Sequence, residues 1–216
     1  MHKIKGVIFD LDGTLLDSMW YWWEAARNYL LSQGKAPRPG LRFILREFNT
    51  IEEAQYYIDE YGVDKSLQDV IKGRDDIMLG YYTSVIKLKE GTIPVLEALK
   101  ERGIKMCIAT ATERRLIEAA LKYQGVENYF DRIFTCTEEN TSKTSPDIFI
   151  KAAQSLGTEI SETLVVEDML YAVETAKKAG FIVAGVYDEA SDELQEDIKA
   201  ISDYYWLNPC GMLEIL

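Results

Sequence analysis

Two carboxylates spaced two residues apart, Asp10 and Asp12, follow the apolar run Val7-Ile8-Phe9, and Gly13-Thr14 comes directly after them. In an extended chain such a pair projects to one side, so both acids can address the same space. Gly13 permits a sharp turn just beyond them. A carboxylate is a feasible nucleophile toward phosphorus, because the acyl phosphate it forms can be cleaved by water. A second carboxylate nearby can protonate the leaving oxygen and then activate that water. The competing structural reading of the same residues is an acidic turn after an edge strand.

Three further positions could complete this chemistry. Thr110 closes the apolar run Ile104 to Ala109; its hydroxyl, with the backbone N–H groups around Ala111 that open the next helix, could bind a phosphate. Thr112 reads more simply as the N-cap of that helix. Lys143 lies in a loop ahead of Thr144-Ser145-Pro146, where a lysine is ordinarily solvated surface. Glu167-Asp168 ends the run Thr163 to Val166. Adjacent acids crowded against an apolar strand are costly unless a cation or hydrogen bonds compensate, and a hard, oxygen-preferring ion such as Mg²⁺ would do so. Two unit charges about 4 Å apart repel by roughly 4 kcal/mol at an effective dielectric near 20. An anionic nucleophile can therefore approach a phosphate only if Mg²⁺ and Lys143 reverse the local sign.

Each position needs a strand to hold it, and the pattern provides one. Lys3 to Asp10 reads as a buried strand. Beyond Gly91 helices and strands alternate: helix Thr92 to Arg102, strand Ile104 to Ala109, helix Thr112 to Tyr123, strand Arg132 to Cys136, a helix opened by Ser145-Pro146, strand Thr163 to Val166, a helix closed by Lys177-Lys178 and Gly180, and strand Phe181 to Val186. This is the signature of an α/β fold, a doubly wound parallel sheet of Rossmann-like type, in which ligands bind at the carboxyl ends of the strands. Pro146 suits the first position of its helix. Ser18 to Val85 instead reads as helical pieces, Met19 to Gln33, Pro39 to Phe48, Ile51 to Tyr61 and Ser66 to Val85, too long to be a loop. The capping-box pattern at Thr50 to Glu53 predicts Thr50 as N-cap with Glu53 reaching back. The expected organisation is a core of residues 1–17 and 87–216 with an inserted all-helical cap of residues 18–86.

Composition narrows the function. With 36 acidic and 24 basic residues the formal charge is -12, which repels a nucleic-acid backbone. No apolar run is long enough for a membrane helix, and Val7-Ile8-Phe9 is too short for a signal peptide; a cytoplasmic location is expected. His2 is the only histidine, so acid–base work falls on carboxylates. Cys107, Cys136 and Cys210 have no metal-ligand spacing, and the first two read as small core residues.

Taken together, Asp10-Leu11-Asp12-Gly13-Thr14, Thr110, Lys143-Thr144-Ser145-Pro146-Asp147-Ile148-Phe149 and Val165-Val166-Glu167-Asp168 resemble the four motifs of the haloacid dehalogenase superfamily, in the usual order. The insert after the first motif resembles the helical cap of phosphoglycolate phosphatase and β-phosphoglucomutase relatives. The resemblance implies Asp10 as nucleophile and Mg²⁺ ligand, Asp12 as general acid/base with its backbone carbonyl on the metal, and Thr110 and Lys143 on the phosphoryl group. It implies Asp168 as a metal ligand and Glu167 acting through water. The chain departs from many relatives at Met169 and Ala172, where a serine and a glycine are common. Trp22 stands near the place where related mutases carry a histidine.

The expected function is Mg²⁺-dependent hydrolysis of a small soluble phosphomonoester through an aspartyl-phosphate. The alternatives are a β-phosphoglucomutase-type phosphomutase, or a non-catalytic phosphate-binding protein on the same fold. A small phosphorylated metabolite is the expected partner, with no nucleic acid and no membrane, and the chain is expected as a monomer or weak dimer. Trp22 and Arg46 are the cap candidates for substrate contact. Arg42 and Arg74 come next, with surface placement the simpler reading of each arginine and core packing that of each aromatic in Trp20-Tyr21-Trp22-Trp23. Asp17-Ser18 and Lys87 to Glu90 are expected to form a two-stranded hinge.

Overall fold

Apolar runs of three to six residues, each too short for a helix and set between helical segments, build one sheet. In the computed structural model, which describes residues 4–45 and 48–216, the strands are β1 (Gly6–Phe9), β2 (Lys105–Thr110), β3 (Arg132–Thr135), β4 (Thr163–Glu167), β5 (Ile182–Val186) and β6 (Tyr204–Trp206). Their order is β3-β2-β1-β4-β5-β6, with every pair parallel. β1 and β4 are buried along their whole length, as expected of central strands covered on both faces. In register, Phe9 stands between Ile108 of β2 and Val166 of β4, so the carboxyl ends of these strands are level. β6 was not anticipated from the sequence. It is a three-residue edge strand, too short to show a period of two.

The helices joining these strands are α5 (Thr92–Glu101), α6 (Arg114–Gln124), α7 (Asp147–Leu156), α8 (Leu170–Lys178) and α9 (Gln195–Ile201). One face of the sheet packs Ile8, Cys107, Ala109, Val165 and Val183 against Phe149 and Ala152 of α7, Val173 and Ala176 of α8 and Ile198 of α9. Cys107 and Cys136 are buried and Cys210 is exposed; burial, and then Asp131, push the Cys107 thiol up. Pro146 precedes α7 rather than beginning it, with its carbonyl accepting the N–H of Ile150 at 2.9 Å.

The chain forms two compact units, one of residues 1–19 and 87–216 and a second of residues 20–86. Within the second are most of α1 (Met19–Ser32), α2 (Leu41–Leu45), α3 (Thr50–Tyr61) and α4 (Leu67–Tyr82). Its apolar core joins Ala26, Tyr29, Leu30, Leu41, Leu45, Ala54, Tyr57 and Val70, with Tyr29 stacked on Tyr57 at 5.9 Å between centroids. The capping box of α3 falls one residue earlier than its sequence pattern suggests. Asn49 is the N-cap and Glu52 the reciprocal partner. The amide oxygen of Asn49 accepts from the N–H of Ile51 at 2.9 Å and of Glu52 at 3.0 Å, and asparagine is the stronger capping residue. Glu53 is thereby released to bind elsewhere. Among the described residues no helix is long and apolar enough to cross a membrane.

Candidate active site

Asp10 is the first residue beyond β1. Its backbone N–H donates to the carbonyl of Val166 at 3.0 Å, which ties the end of β1 to that of β4. Its carboxylate is buried and takes a close ion pair from the Nζ of Lys143. The same ammonium reaches the Oε1 of Glu167, the last residue of β4, at 2.6 Å. Lys143 is 4% exposed, so the ordinary expectation for a loop lysine, solvated surface, fails here.

The turn after Asp10 is closed by its own backbone. The N–H groups of Leu15 and Leu16 both donate to the carbonyl of Leu11, and that of Gly13 donates to Leu16 at 3.0 Å. Gly13 takes φ 84°, and a Cβ at this position would overlap the Oδ2 of Asp168. Glycine is therefore needed twice, for the left-handed backbone and for the approach of Asp168. Thr14 donates its hydroxyl to the Oδ1 of Asp168 at 3.2 Å. Asp12 is held by two hydroxyls, that of Ser18 on Oδ1 at 2.6 Å and that of Thr112 on Oδ2 at 2.8 Å.

Thr110 ends β2 with its hydroxyl oxygen accepting the N–H of Thr112 at 3.1 Å. This bond shapes the loop ahead of α6, in which Ala111 is exposed. Thr112 is not the N-cap of α6. That position is Glu113, leaving the Thr112 hydroxyl free to engage Asp12.

Asp10 and Glu167 share the Lys143 ammonium, and the buried Asp168 adds a third carboxyl beside them. Burial, augmented by Glu167 and Asp12 and opposed by Lys143, raises the Asp10 carboxyl from 3.8 to about 7. Asp168 is held well above the ordinary carboxylate range, first by burial and then by Asp10, Glu167 and Asp188, with Lys89 pulling the other way. Burial alone would lower Lys143, but Asp10 and Glu167 override it and keep the ammonium charged.

This arrangement fits a divalent cation. Carboxylate oxygens of Asp10, Glu167 and Asp168 lie within 4.8 Å of one another. The Oε2 of Glu167 and the Oδ2 of Asp168 are buried without a hydrogen-bond partner among the described residues. Unpaired buried carboxylate oxygens are costly in a protein interior, and an oxygen-preferring ion resolves that cost.

The structure thus gathers Asp10, Asp12, Lys143, Glu167 and Asp168, with Thr110 at the neighbouring strand end. The cap candidates Trp22, Arg42 and Arg74 belong to the second unit. Arg74 is buried, contrary to the expectation of a surface arginine. It pairs with Glu53 at 2.7 Å and Asp75 at 2.8 Å, and its guanidinium lies 4.9 Å from the Trp22 ring. Glu53 and Asp75 keep that guanidinium charged despite burial. Arg42 lies over Phe43 at 4.6 Å, and Trp20 is 54% exposed rather than packed. Arg46, and Lys3 at the head of the expected first strand, lie outside the described residues. From the sequence Ser18 and Lys89 read only as parts of a hinge, and Asp188 goes unnoticed. For Asp188 a signal existed, since it is an acid just beyond an apolar strand, β5, like Asp10 beyond β1.

The family model described as haloacid dehalogenase-like hydrolase matches residues 7–186. Among curated proteins the chain is 27% identical to the phosphorylated carbohydrates phosphatase of Thermotoga maritima, over 82% of each chain. It is 25% identical to the fructose-1-phosphate phosphatase YqaB of Escherichia coli, over 83% of this chain and 94% of the other. Among solved structures, the β-phosphoglucomutase of Clostridium difficile shares the fold with TM-score 0.77 at 18% identity, covering 97% of this chain and 93% of that one.

Proposed function

Because the chain belongs to the haloacid dehalogenase-like hydrolase family, we propose that it hydrolyses a small phosphomonoester, with Asp10 as nucleophile. The observation that carries this reading is the convergence of Asp10, Lys143, Glu167 and Asp168 at the carboxyl ends of neighbouring strands, with two carboxylate oxygens left unpartnered. The names of the two curated relatives make a phosphorylated sugar the substrate class to try first.

Asp10, Asp168 and the backbone carbonyl of Asp12 would hold Mg²⁺, with Glu167 acting through water. The bound ion would neutralise the phosphoryl oxygens so that one anion can meet another. Attack by the Asp10 carboxylate forms the bond to phosphorus as the bond to the ester oxygen breaks. Asp12 gives that oxygen a proton, and the alcohol departs. Water, deprotonated by Asp12, then attacks phosphorus, and phosphate leaves as Asp10 regains its carboxylate. Lys143 stays charged throughout and steadies the charge that develops on the transferring group. Ser18 and Thr112 orient the Asp12 carboxylate between its two duties.

A panel of phosphomonoesters assayed with and without Mg²⁺ tests this. Mg²⁺-dependent net release of phosphate is expected, and Asp10→Asn should abolish it in a folded protein. Turnover near wild type in that variant would require another nucleophile. Isomerised product without net phosphate would favour the mutase reading.

A further inference from the structure

The ion pair between Lys89 and Asp188 is largely buried and joins two loops that flank the carboxylate cluster. The Nζ of Lys89 lies 2.8 Å from the Oδ2 of Asp188 and donates to the carbonyl of Tyr187 at 2.6 Å. The two side chains are 11% and 6% exposed. A buried pair of this kind is weak evidence for stability, because desolvation offsets much of its attraction. Its connections point to a different use.

On one side, Lys89 belongs to the segment that re-enters the core. Its N–H donates to the carbonyl of Leu15 at 2.8 Å, and the neighbouring Leu88 bridges Leu16. Leu15 and Leu16 are the residues whose N–H groups close the Asp10 turn on Leu11. On the other side, Asp188 organises the turn after β5. Its Oδ1 accepts the N–H of Ala190 at 2.9 Å, and its carbonyl accepts from Gln195 at 3.2 Å. The Ser191 hydroxyl, fed by Gln195 at 2.8 Å, divides its proton between the carbonyls of Asp188 and Asp168, each at 3.3 Å. A continuous path therefore runs from the Asp10 turn through Leu15, Lys89, Asp188 and Ser191 to the backbone of Asp168.

We propose that Lys89 and Asp188 are positioning residues that set the separation of Asp10 and Asp168, and so the affinity of their site for a divalent cation. This deepens the proposed function and rests on it. Groups that orient ligands from behind typically change metal affinity about 10- to 100-fold when removed. Both members of the pair are also close enough to act on the Asp168 carboxyl through space, in opposite directions. A plain charge effect and a positioning effect therefore predict different signs. Through space, removing Asp188 weakens cation binding and removing Lys89 strengthens it. By positioning, both removals weaken it.

Calorimetric titration with Mg²⁺ alone, without substrate, separates these cases for wild type, Lys89→Met, Asp188→Asn, Ser191→Ala and Lys89→Arg. Circular dichroism melts without Mg²⁺ identify which variants fold. About tenfold weaker binding is expected for Lys89→Met, Asp188→Asn and Ser191→Ala, with Lys89→Arg close to wild type. Ser191→Ala changes no charge and decides the matter if Lys89→Met fails to fold. Tighter binding by Lys89→Met, or wild-type binding by a folded Ser191→Ala, would overturn the proposal. Absence of Mg²⁺ binding by the wild type would instead remove the proposed function, and this inference with it.

Discussion

Asp10, Glu167 and Asp168 crowd three carboxyls into one space, and Lys143 pairs with the first two. The crowding has a pH consequence. The Asp10 carboxyl is raised from 3.8 to about 7, so the metal-free folded state keeps a proton that the unfolded chain would release. Its contribution favours folding below about pH 4 and is lost as pH rises through about 7. Mg²⁺ must displace that proton, so its affinity should rise between about pH 5 and 8, with proton release detectable by calorimetry in two buffers of different ionisation enthalpy. Affinity independent of pH across that window would contradict the assignment. Lys143→Ala should lower kcat by about a hundredfold or more, measured at saturating Mg²⁺ and substrate. The acids were legible in the sequence because they stand at the ends of apolar runs, and Lys143 through the motif resemblance in the loop beyond a third strand. The duties of Ser18 and Thr112 were not, since Ser18 reads as part of a hinge and Thr112 as the cap of its own helix. The Thr112 partner, Asp12, is 100 positions away along the chain.

At the scale of elements, the five longer strands stand close to where apolar runs bounded by glycine or acids place them. Helix starts were less legible. Thr50 and Asn49 are both capable caps, and only the geometry of Glu52 decides between them: its Oε2 accepts the N–H of Asn49 at 2.8 Å. Asn49→Ala should therefore cost about 1 kcal/mol by chemical denaturation, whereas Thr50→Ala should cost little. Equal losses would mean that the cap is shared. Gly13→Ala is the severe case at this scale, because the added methyl meets both an unfavourable φ and the Asp168 carboxylate. It should abolish Mg²⁺ binding by calorimetry, and binding at wild-type strength would show that the turn can open without penalty.

At the scale of the whole molecule, each unit carries a charge cluster of its own. In the helical unit, Arg74 joins Glu53 and Asp75, and the Tyr57 hydroxyl donates to Glu53 as well. Arg74→Leu would strand two carboxylates and should destabilise that unit by about 3–5 kcal/mol. Below its melting temperature, Mg²⁺ affinity in the other unit should stay within about twofold of wild type, a comparison of thermal melts with calorimetric titrations. The sequence could not foretell this cluster, because Arg74 lies on a helix of weak amphipathic pattern among charged neighbours. The chain leaves and re-enters the strand-bearing unit through one doorway, where the Asp17 N–H donates to the Lys87 carbonyl at 2.9 Å and Leu16 bridges Leu88. Since loop-closure entropy grows only slowly with the length enclosed, what hangs beyond this doorway can be lengthened, shortened or exchanged with little burden on the sheet. Selection could thus remodel one part of the protein wholesale while the reacting carboxylates stay in their places.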